Sequence, residues 1–389
     1  MSTETPFAEL IGQQQAIEWV TAAARDAYRG EQSTGAMTHA WLLTGPPGSG
    51  RSNLAYAFAT ALLSPGGVPD PAVAALVDAR THPDLAVLAS ERVTITIDEV
   101  RRLVTSAAYS PSVAAYRVLV IEDADRMTER TSNVLLKSLE EPPERTVWIL
   151  CAPSEADLLP TIRSRVRVVR LRVPDPAEVA ELLVRRDGVD PALALRAAQE
   201  AQSHIGMAHR LATDADARAR RDETIRIAFG VRSVPQAVRS AQRLLDIAKE
   251  DSSALTEERD EGERAAALKS MGVQPGAAVP PQLRSMLKQL EDDQKRRATR
   301  GLRDSVDRIL LDLLALHRDV LLHQLGAGLT PVNGAYGDDI ERLATDTPPT
   351  ATLAVLDAIA DARRRLPANV PPLLVLEAVL VTAALERRR

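Results

Sequence analysis

The chain has 389 residues, a length at which two or three domains are expected rather than one hydrophobic core. Its formal net charge is −5 and only 3% of its residues are aromatic, which argues against a free-standing basic nucleic-acid binder and against a fold of stacked aromatic rings. The single cysteine, Cys151, excludes a disulfide framework and a thiolate zinc site within one chain. The polar N-terminal residues do not resemble a signal peptide, and no run reaches about 18 apolar residues, so we expect a cytoplasmic protein without membrane contact.

Apolar runs alternate with helical patterns through the first half of the chain. Short buried strands are predicted at 41–44, 118–121 and 146–150, and an outer strand at 166–173. Helical spacing follows at 53–63 and 128–140. Strands separated by helices predict a parallel α/β sheet with crossover helices, and we place this first domain at 1–173.

The second half of the chain shows helical periodicity throughout. Two segments open with Asp-Pro, at Asp175 and Asp190, which puts a capping residue before a proline in the first turn. We therefore predict a small helical lid at 174–215 and an all-α domain at 216–389. Within that domain, 249–282 is strongly charged and then rich in Gly, Ala and Pro, which is typical of a mobile connection.

The sharpest motif is a glycine-rich loop, GPPGSGRS, between a predicted strand and a predicted helix. It consists of Gly45, Pro46, Pro47, Gly48, Ser49, Gly50, Arg51 and Ser52. Such loops point successive backbone N–H groups at phosphate oxygens, the helix N-terminus adds a favourable dipole, and the final serine is suited to Mg²⁺. The motif requires lysine where this chain has the bulkier, planar Arg51. Two interpretations stay open: a degenerate ATP or ADP site with Mg²⁺, and a loop kept only for its fold.

A second candidate site lies where Glu122 and Asp123 follow the predicted strand 118–121. In phosphate-loop ATPases an acidic residue at this place holds Mg²⁺. We expect Glu122 to hold Mg²⁺ together with Ser52. Asp123 is the candidate base for the attacking water, but a weak one, because aspartate is one methylene shorter than glutamate and catalysis requires close placement. The alternative is a strand end with solvated carboxylates.

Several segments together resemble one protein family. They are 11–13 (IGQ), 39–43 (HAWLL), 82–85 (HPDL), 97–103 (IDEVRRL) and, most specifically, 133–143 (NVLLKSLEEPP). These segments are similar to those of the ATPase-fold subunits of bacterial DNA polymerase III clamp loaders, which belong to the AAA+ class. The resemblance implies a P-loop AAA+ parallel sheet domain, a small helical lid and an all-α collar that oligomerises. It also implies the partners: the gamma/tau ATPase subunits, the delta subunit, the sliding clamp, and primer-template DNA reached through the assembled complex.

The same resemblance assigns roles to residues beyond the loop. In this family a Ser-Arg-Cys motif projects an arginine into the ATP site of a neighbouring subunit, and here 164–166 reads Ser-Arg-Val. Arg165 is therefore the implied arginine finger, a group worth about 10³–10⁵ in rate; the alternative is one arginine of an arginine-studded surface strand. The lid position that usually offers a nucleotide-contacting arginine holds His209, with Arg210 beside it, and a neutral histidine senses phosphate poorly.

Departures from the family pattern decide between the functions that the resemblance allows. Family members usually carry four zinc-binding cysteines ahead of the 82–85 segment, and this chain has none there, so we expect no zinc. A catalytically active gamma/tau-type ATPase would carry the loop lysine, an Asp-Glu pair and the zinc module. A stand-alone AAA+ DNA-processing motor would need a complete ATP site and a DNA-binding appendage. The pattern favours a stator of the clamp loader whose own ATPase activity is weak or absent.

Overall fold

The computed structural model describes residues 6–90, 92–270, 284–368 and 370–387. Contacts divide the chain into two units, Met1–Thr213 and Asp214–Arg389. None of the helices in the described ranges combines the length and the apolarity that crossing a bilayer requires.

Unit 1 (Met1–Thr213) is built on a five-stranded sheet in which every strand pairing is parallel. The strands are β1 Ala40–Thr44, β2 Leu85–Leu88, β3 Arg117–Ile121, β4 Thr146–Ala152 and β5 Arg167–Arg170. Their order across the sheet is β2-β3-β4-β1-β5. Strands β1 and β4 are buried along their whole length, as expected for parallel strands covered on both faces. This order places the carboxyl ends of β1 and β3 on either side of β4.

Nine helices surround or follow the sheet in the described part of unit 1. They are α1 Gln14–Asp26, α2 Arg51–Leu63, α3 Pro71–Asp78, α4 Ile97–Ala107, α5 Glu129–Glu140, α6 Pro160–Arg163, α7 Pro176–Asp187, α8 Pro191–Glu200 and α9 Ile205–Thr213. Helices α1, α2 and α3 contribute to the core on one face of the sheet, and α4, α5 and α6 to the core on the other. Helices α7, α8 and α9 pack on one another and form the predicted lid.

Unit 2 (Asp214–Arg389) is built of helices in the part of it that the structure describes. Its helices are α10 Ala215–Gly230, α11 Val234–Ser270, α12 Arg284–Gln324, α13 Gly337–Asp346, α14 Pro349–Arg365 and α15 Pro372–Glu386. One apolar core joins α10 to α15, with Val306, Leu310 and Leu313 of α12 fully buried within it. The fold class predicted from the sequence, a P-loop AAA+ sheet domain with a helical lid followed by an all-α domain, is confirmed.

The charged segment 249–282, predicted to be a mobile connection, is helical in its described part. Residues up to Ser270 continue helix α11, whereas 271–282 lie outside the described residues. The charges are paired across to α12: Arg297 contacts Asp260 and, at 3.0 Å, Glu263, and Arg264 lies 3.2 Å from Glu291. Opposite charges on these two packed helices therefore pair with each other, and the mobility of the segment stays a prediction.

Smaller differences concern strand limits and domain limits. The short strand β2 and helix α13 were not predicted, and the outer strand β5 is shorter than predicted. The lid helices fall in the same unit as the sheet, so the predicted division between 1–173 and 174–215 stays a prediction.

Candidate nucleotide site

The glycine-rich loop leaves the end of β1 and turns directly into α2. Gly48 and Gly50 have φ values of 81° and 91°, in the left-handed region that favours glycine. A Cβ added at Gly45 would lie 2.6 Å from Ser49 Oγ and 3.0 Å from the Cβ of Leu171. The loop thus has the tight backbone course that a phosphate-binding loop requires.

Gln13, from the segment that resembles the family near the N-terminus, ties this loop to the end of β5. Its Nε2 donates to the carbonyl oxygen of Arg172 at 2.8 Å, and its Oε1 accepts from the N–H of Arg172 at 3.1 Å. The same amide reaches the carbonyl oxygen of Ser49 at 3.5 Å. These two hydrogen bonds between the Gln13 side chain and the Arg172 backbone explain why a glutamine is buried here.

Arg51, which replaces the usual lysine, bends back onto the loop. Its Nη1 donates to the carbonyl oxygen of Gly45 at 2.7 Å. One N–H donor of the guanidinium is therefore used in a hydrogen bond to the first residue of its own loop. Beside it, the hydroxyl oxygen of Ser49 is buried and makes no hydrogen bond with the described residues.

The lid reaches the loop through His204, a residue that the sequence did not single out. A Cβ added at Gly48 would lie only 2.3 Å from the His204 ring, and the N–H of Ile205 is 3.5 Å from the Gly48 carbonyl oxygen. His204 is oriented by the N–H of Met207, which donates to its Nδ1 at 3.2 Å. Only glycine at position 48 permits this close approach of the imidazole to the backbone.

His209 points elsewhere within the lid. Its Nδ1 lies 2.8 Å from Asp187 Oδ2 at the end of α7, and Asp187 also accepts from Arg186 Nε at 2.9 Å. The Arg186 and His209 bonds hold the pKa of Asp187 below its usual value. Arg210 follows in α9 and is half-buried. A nucleotide-contacting role for His209 and Arg210 stays a prediction.

Glu122 is the centre of a polar cluster at the end of β3. Its Oε2 lies 3.4 Å from Ser52 Oγ, and its Oε1 accepts from the hydroxyl of Tyr56 and from Arg80 Nη2, the latter at 3.1 Å. The guanidinium carbon of Arg80 also lies 5.3 Å from the centre of the Tyr56 ring, a favourable cation–π distance. Burial and the carboxylate of Glu122 raise the pKa of Tyr56 well above its usual value, so the phenol keeps its proton and remains a donor.

In this arrangement the carboxylate of Glu122, which was predicted to hold Mg²⁺ with Ser52, is already engaged by side chains of the chain itself. The metal requires oxygen ligands in a nearly ideal octahedron at about 2.0–2.1 Å. The two candidate ligands instead face each other, and both oxygens of Glu122 already accept hydrogen bonds.

Asp123, the predicted weak base, adopts a left-handed backbone conformation with φ 50°. Its carboxylate lies 3.5 Å from Arg126. The next carboxylate, Asp125, is half-buried, and its Oδ1 makes no hydrogen bond with the described residues. Burial, helped by the charge of Asp123, raises the pKa of Asp125.

Arg165 lies just after α6 and is one third exposed. Its Nη2 lies 2.6 Å from Oε1 of Glu140, the last residue of α5, and its Nη1 donates to the Thr161 carbonyl oxygen at 2.7 Å and to Ser164 Oγ at 3.0 Å. The fold thus joins two segments that the resemblance named separately, 133–143 and 164–166.

The sheet order, the loop after β1 and the carboxylates after β3 together define the P-loop ATPase fold of the AAA+ class. The family model described as "DNA polymerase III, delta subunit" matches residues 21–175. The N-terminal part of the chain is therefore similar to this family, over less than half of the chain's length.

The chain is also similar to individual DNA polymerase III subunits of both the delta' and the gamma/tau kind. The DNA polymerase III subunit delta' of Pseudomonas aeruginosa is 37% identical over 164 residues, which are 40% of this chain and 50% of that protein. The gamma/tau subunit of Mycobacterium tuberculosis H37Rv is 34% identical over 188 residues, 46% of this chain and 31% of that protein. The matches to these two relatives thus span half of their length or less. A gamma subunit-related protein of Thermotoga maritima covers 95% of this chain and 100% of its own, at 18% identity and a TM-score of 0.46, a likeness too weak to add to the sheet topology.

Proposed function

We propose that this protein is the delta-prime subunit of a DNA polymerase III clamp loader and acts there as a stator. In this role it donates Arg165 to the ATP site of a neighbouring gamma/tau subunit and contributes little hydrolysis itself. With the delta subunit it helps to load the sliding clamp on primer-template DNA in the cytoplasm. Polymerisation belongs to the holoenzyme and not to this chain.

The contrast between the chain's two candidate catalytic features carries the proposal. At the loop, Arg51 donates to Gly45 and Glu122 is held by Tyr56 and Arg80, so both groups that would serve a nucleotide are engaged. Arg165 is also hydrogen-bonded within the chain, to Glu140, Thr161 and Ser164, but it lies one third exposed at the end of a short helix, where a neighbouring subunit could reach it. We therefore expect the chain to complete a neighbour's ATP site rather than to hydrolyse ATP at its own loop.

Electrostatics gives Arg165 its proposed effect. A guanidinium supplied in trans neutralises the charge that develops on the γ-phosphate in the transition state and is worth about 10³–10⁵ in the rate of the site that it serves. Arginine is always protonated in proteins and presents several donors in a fixed fork. A weak or absent site in the donating subunit does not reduce that effect.

The test compares ATP hydrolysis, with primed DNA and clamp present, by the isolated chain, the reconstituted loader and the loader carrying Arg165→Ala. We expect negligible ATP hydrolysis by the isolated chain. The loader carrying Arg165→Ala should lose at least the part of its ATP hydrolysis that comes from the one site that Arg165 serves. Arg163→Ala is the matched control, because Arg163 is an exposed arginine two residues away. Robust hydrolysis by the isolated chain that Arg165→Ala leaves untouched would refute the proposal.

The second candidate is a catalytically active gamma/tau-type ATPase. It is favoured by the similarity to the Mycobacterium tuberculosis gamma/tau subunit, which extends over more residues than the similarity to the Pseudomonas aeruginosa delta' subunit. Arg51 in place of the loop lysine speaks against it. Hydrolysis by the isolated chain that is abolished by Ser52→Ala would favour this candidate, whereas a chain that neither hydrolyses ATP nor enters the loader would contradict both.

A further inference from the structure

Arg80 has an unusual backbone conformation for its residue type. It follows the C-terminal end of α3 with φ 55°, and the helix is closed there by a bond from the N–H of Thr81 to the carbonyl oxygen of Leu76 at 2.9 Å. This left-handed position after a helix is the one that glycine usually fills. An L-residue with a long side chain is strained there, so local structure alone gives no reason for an arginine.

The side chain of Arg80 supplies the reason. Its Nη2 lies 3.1 Å from Glu122 Oε1, although the two residues are 42 positions apart. The same guanidinium lies over the ring of Tyr56, whose hydroxyl donates to the same carboxylate oxygen. The left-handed turn thus aims one positive charge at the acidic end of β3.

We infer that Arg80 is the resident cation of this acidic strand end and takes the charge-neutralising place that Mg²⁺ takes in an active P-loop ATPase. Glu122 and Ser52 consequently do not form a divalent metal site in this chain. The inference concerns the chain's own loop and holds whether or not Arg165 acts on a neighbour.

Competition between the two cations follows from their charges. A guanidinium is not deprotonated in proteins, so a divalent ion approaching Glu122 would meet a fixed positive charge that already occupies one of the two carboxylate oxygens. Tyr56 adds to this, because its hydroxyl would have to turn away before Oε1 could bind a metal. Removing Arg80 should therefore expose a latent metal-binding carboxylate.

The experiment titrates the full-length chain with Mn²⁺, with and without ADP, and follows free Mn²⁺ by electron paramagnetic resonance. Arg80→Gly removes the guanidinium and suits the left-handed backbone, so folding is not put at risk; a thermal melt of each variant verifies this. Arg80→Lys keeps the positive charge at the same place. Arg102→Ala removes an exposed arginine of α4 and controls for net charge. Arg80→Gly combined with Glu122→Gln tests whether any gain depends on the carboxylate.

We expect Arg80→Gly to bind Mn²⁺ about three- to fivefold more tightly than the wild type, because an ion pair with a half-exposed arginine is worth at most about 1 kcal/mol. Arg80→Lys and Arg102→Ala should stay near the wild type, and the double variant should lose the gain. The inference fails if wild type and Arg80→Gly bind Mn²⁺ equally, if neither binds it, or if the gain persists without the carboxylate of Glu122. None of these readings depends on hydrolysis or on a partner subunit, so they leave the proposed stator role to its own test.

Discussion

Three arginines of the candidate site each donate to an acceptor of the chain itself. Arg51 donates to the carbonyl of Gly45, Arg80 to Glu122 and Arg165 to Glu140. These acceptors differ in strength, since a carbonyl oxygen is neutral and a carboxylate is charged. Of the three, Arg165 is the one whose proposed role requires it to meet a phosphate outside the chain, so its pairing with Glu140 bears directly on how it acts.

Glu140→Gln should strengthen the action of Arg165 in the reconstituted loader. The carboxylate competes with the γ-phosphate for the guanidinium, and a partly exposed pair of this kind is worth at most about 1 kcal/mol. Neutralising it should raise loader ATPase at sub-saturating ATP about two- to fivefold. The measurement is the ATP dependence of steady-state hydrolysis with primed DNA and clamp.

Glu141→Gln is the matched control, because Glu141 is the exposed neighbour of Glu140 and the substitution changes net charge equally. A loss of activity as deep as that of Arg165→Ala would show the opposite role for Glu140, namely that it presents the finger. Because the experiment uses the same loader, Arg165→Ala must first reduce activity for either reading to apply.

At the scale of elements, the sequence predicted the positions of the motifs better than their contacts. The loop, the acidic strand end and the parallel sheet follow from glycine spacing and from apolar runs bounded by charge. The partners of Glu122 do not, because Tyr56 and Arg80 lie 66 and 42 residues away from it and carry no motif of their own. His204 was missed for a similar reason, since its approach to Gly48 depends on how the lid packs. A positive φ at Arg80 leaves no sign in a single sequence.

Asp84 shows how one motif residue fixes a connection between elements. Its side chain, at the start of β2, is fully buried and accepts from the N–H groups of Ser112 at 2.7 Å, Val113 at 2.7 Å and Ala114 at 2.8 Å. Burial by itself would raise the pKa of Asp84, but these backbone bonds outweigh it and lower the pKa. The carboxylate therefore anchors the turn that leads into β3.

Asp84→Asn should destabilise the protein by about 2 kcal/mol at pH 7, since hydrogen bonds to a charged group contribute about 1.5–3 kcal/mol. An amide would place N–H donors against the backbone N–H groups that now donate to the carboxylate. Because the pKa is lowered in the folded state, the contribution is complete above the unfolded value of about 3.9 and is lost as the pH falls through the folded value. Urea unfolding between pH 8 and pH 3 measures it.

The difference in the free energy of unfolding between wild type and Asp84→Asn should be constant above about pH 5 and should become smaller below about pH 4. Asp78→Asn, which alters an exposed carboxylate of α3, should stay within about 0.5 kcal/mol of the wild type. A difference that does not change with pH would show that the charge of Asp84 contributes little to stability.

At the scale of the whole molecule, the two units have separate cores. The cores of unit 1 lie on the two faces of the sheet, and that of unit 2 is formed by α10 to α15. Every residue of the candidate site, including Arg165 and the lid residue His204, falls within Met1–Thr213. Unit 1 thus contains every residue of the proposed chemistry. Unit 2 is the part of the chain that we assign to the proposed collar.

The division predicts that residues 214–389 fold without unit 1. Their core buries large apolar side chains such as Leu244, Leu316 and Leu376 completely, so we expect a helical fragment with a cooperative thermal transition. The fragment should start at Asp214 rather than at Ala215, because the Asp214 side chain caps α10 by accepting from the N–H groups of Asp216 at 2.8 Å and Ala217 at 3.1 Å. Omitting that cap should lower stability by about 1 kcal/mol.

Circular dichroism melts of fragments 214–389 and 215–389 measure both effects, and size-exclusion chromatography with gamma/tau subunits tests the collar role. A fragment that melts cooperatively and co-elutes with gamma/tau would place assembly in unit 2, whereas one that folds but stays alone would move assembly to unit 1. A fragment that is helical yet melts without a transition and binds a hydrophobic dye would contradict the independence of the core. Full-length chain carrying Asp214→Ala is the control, since loss of the same cap should lower the stability of unit 2 there by a similar amount.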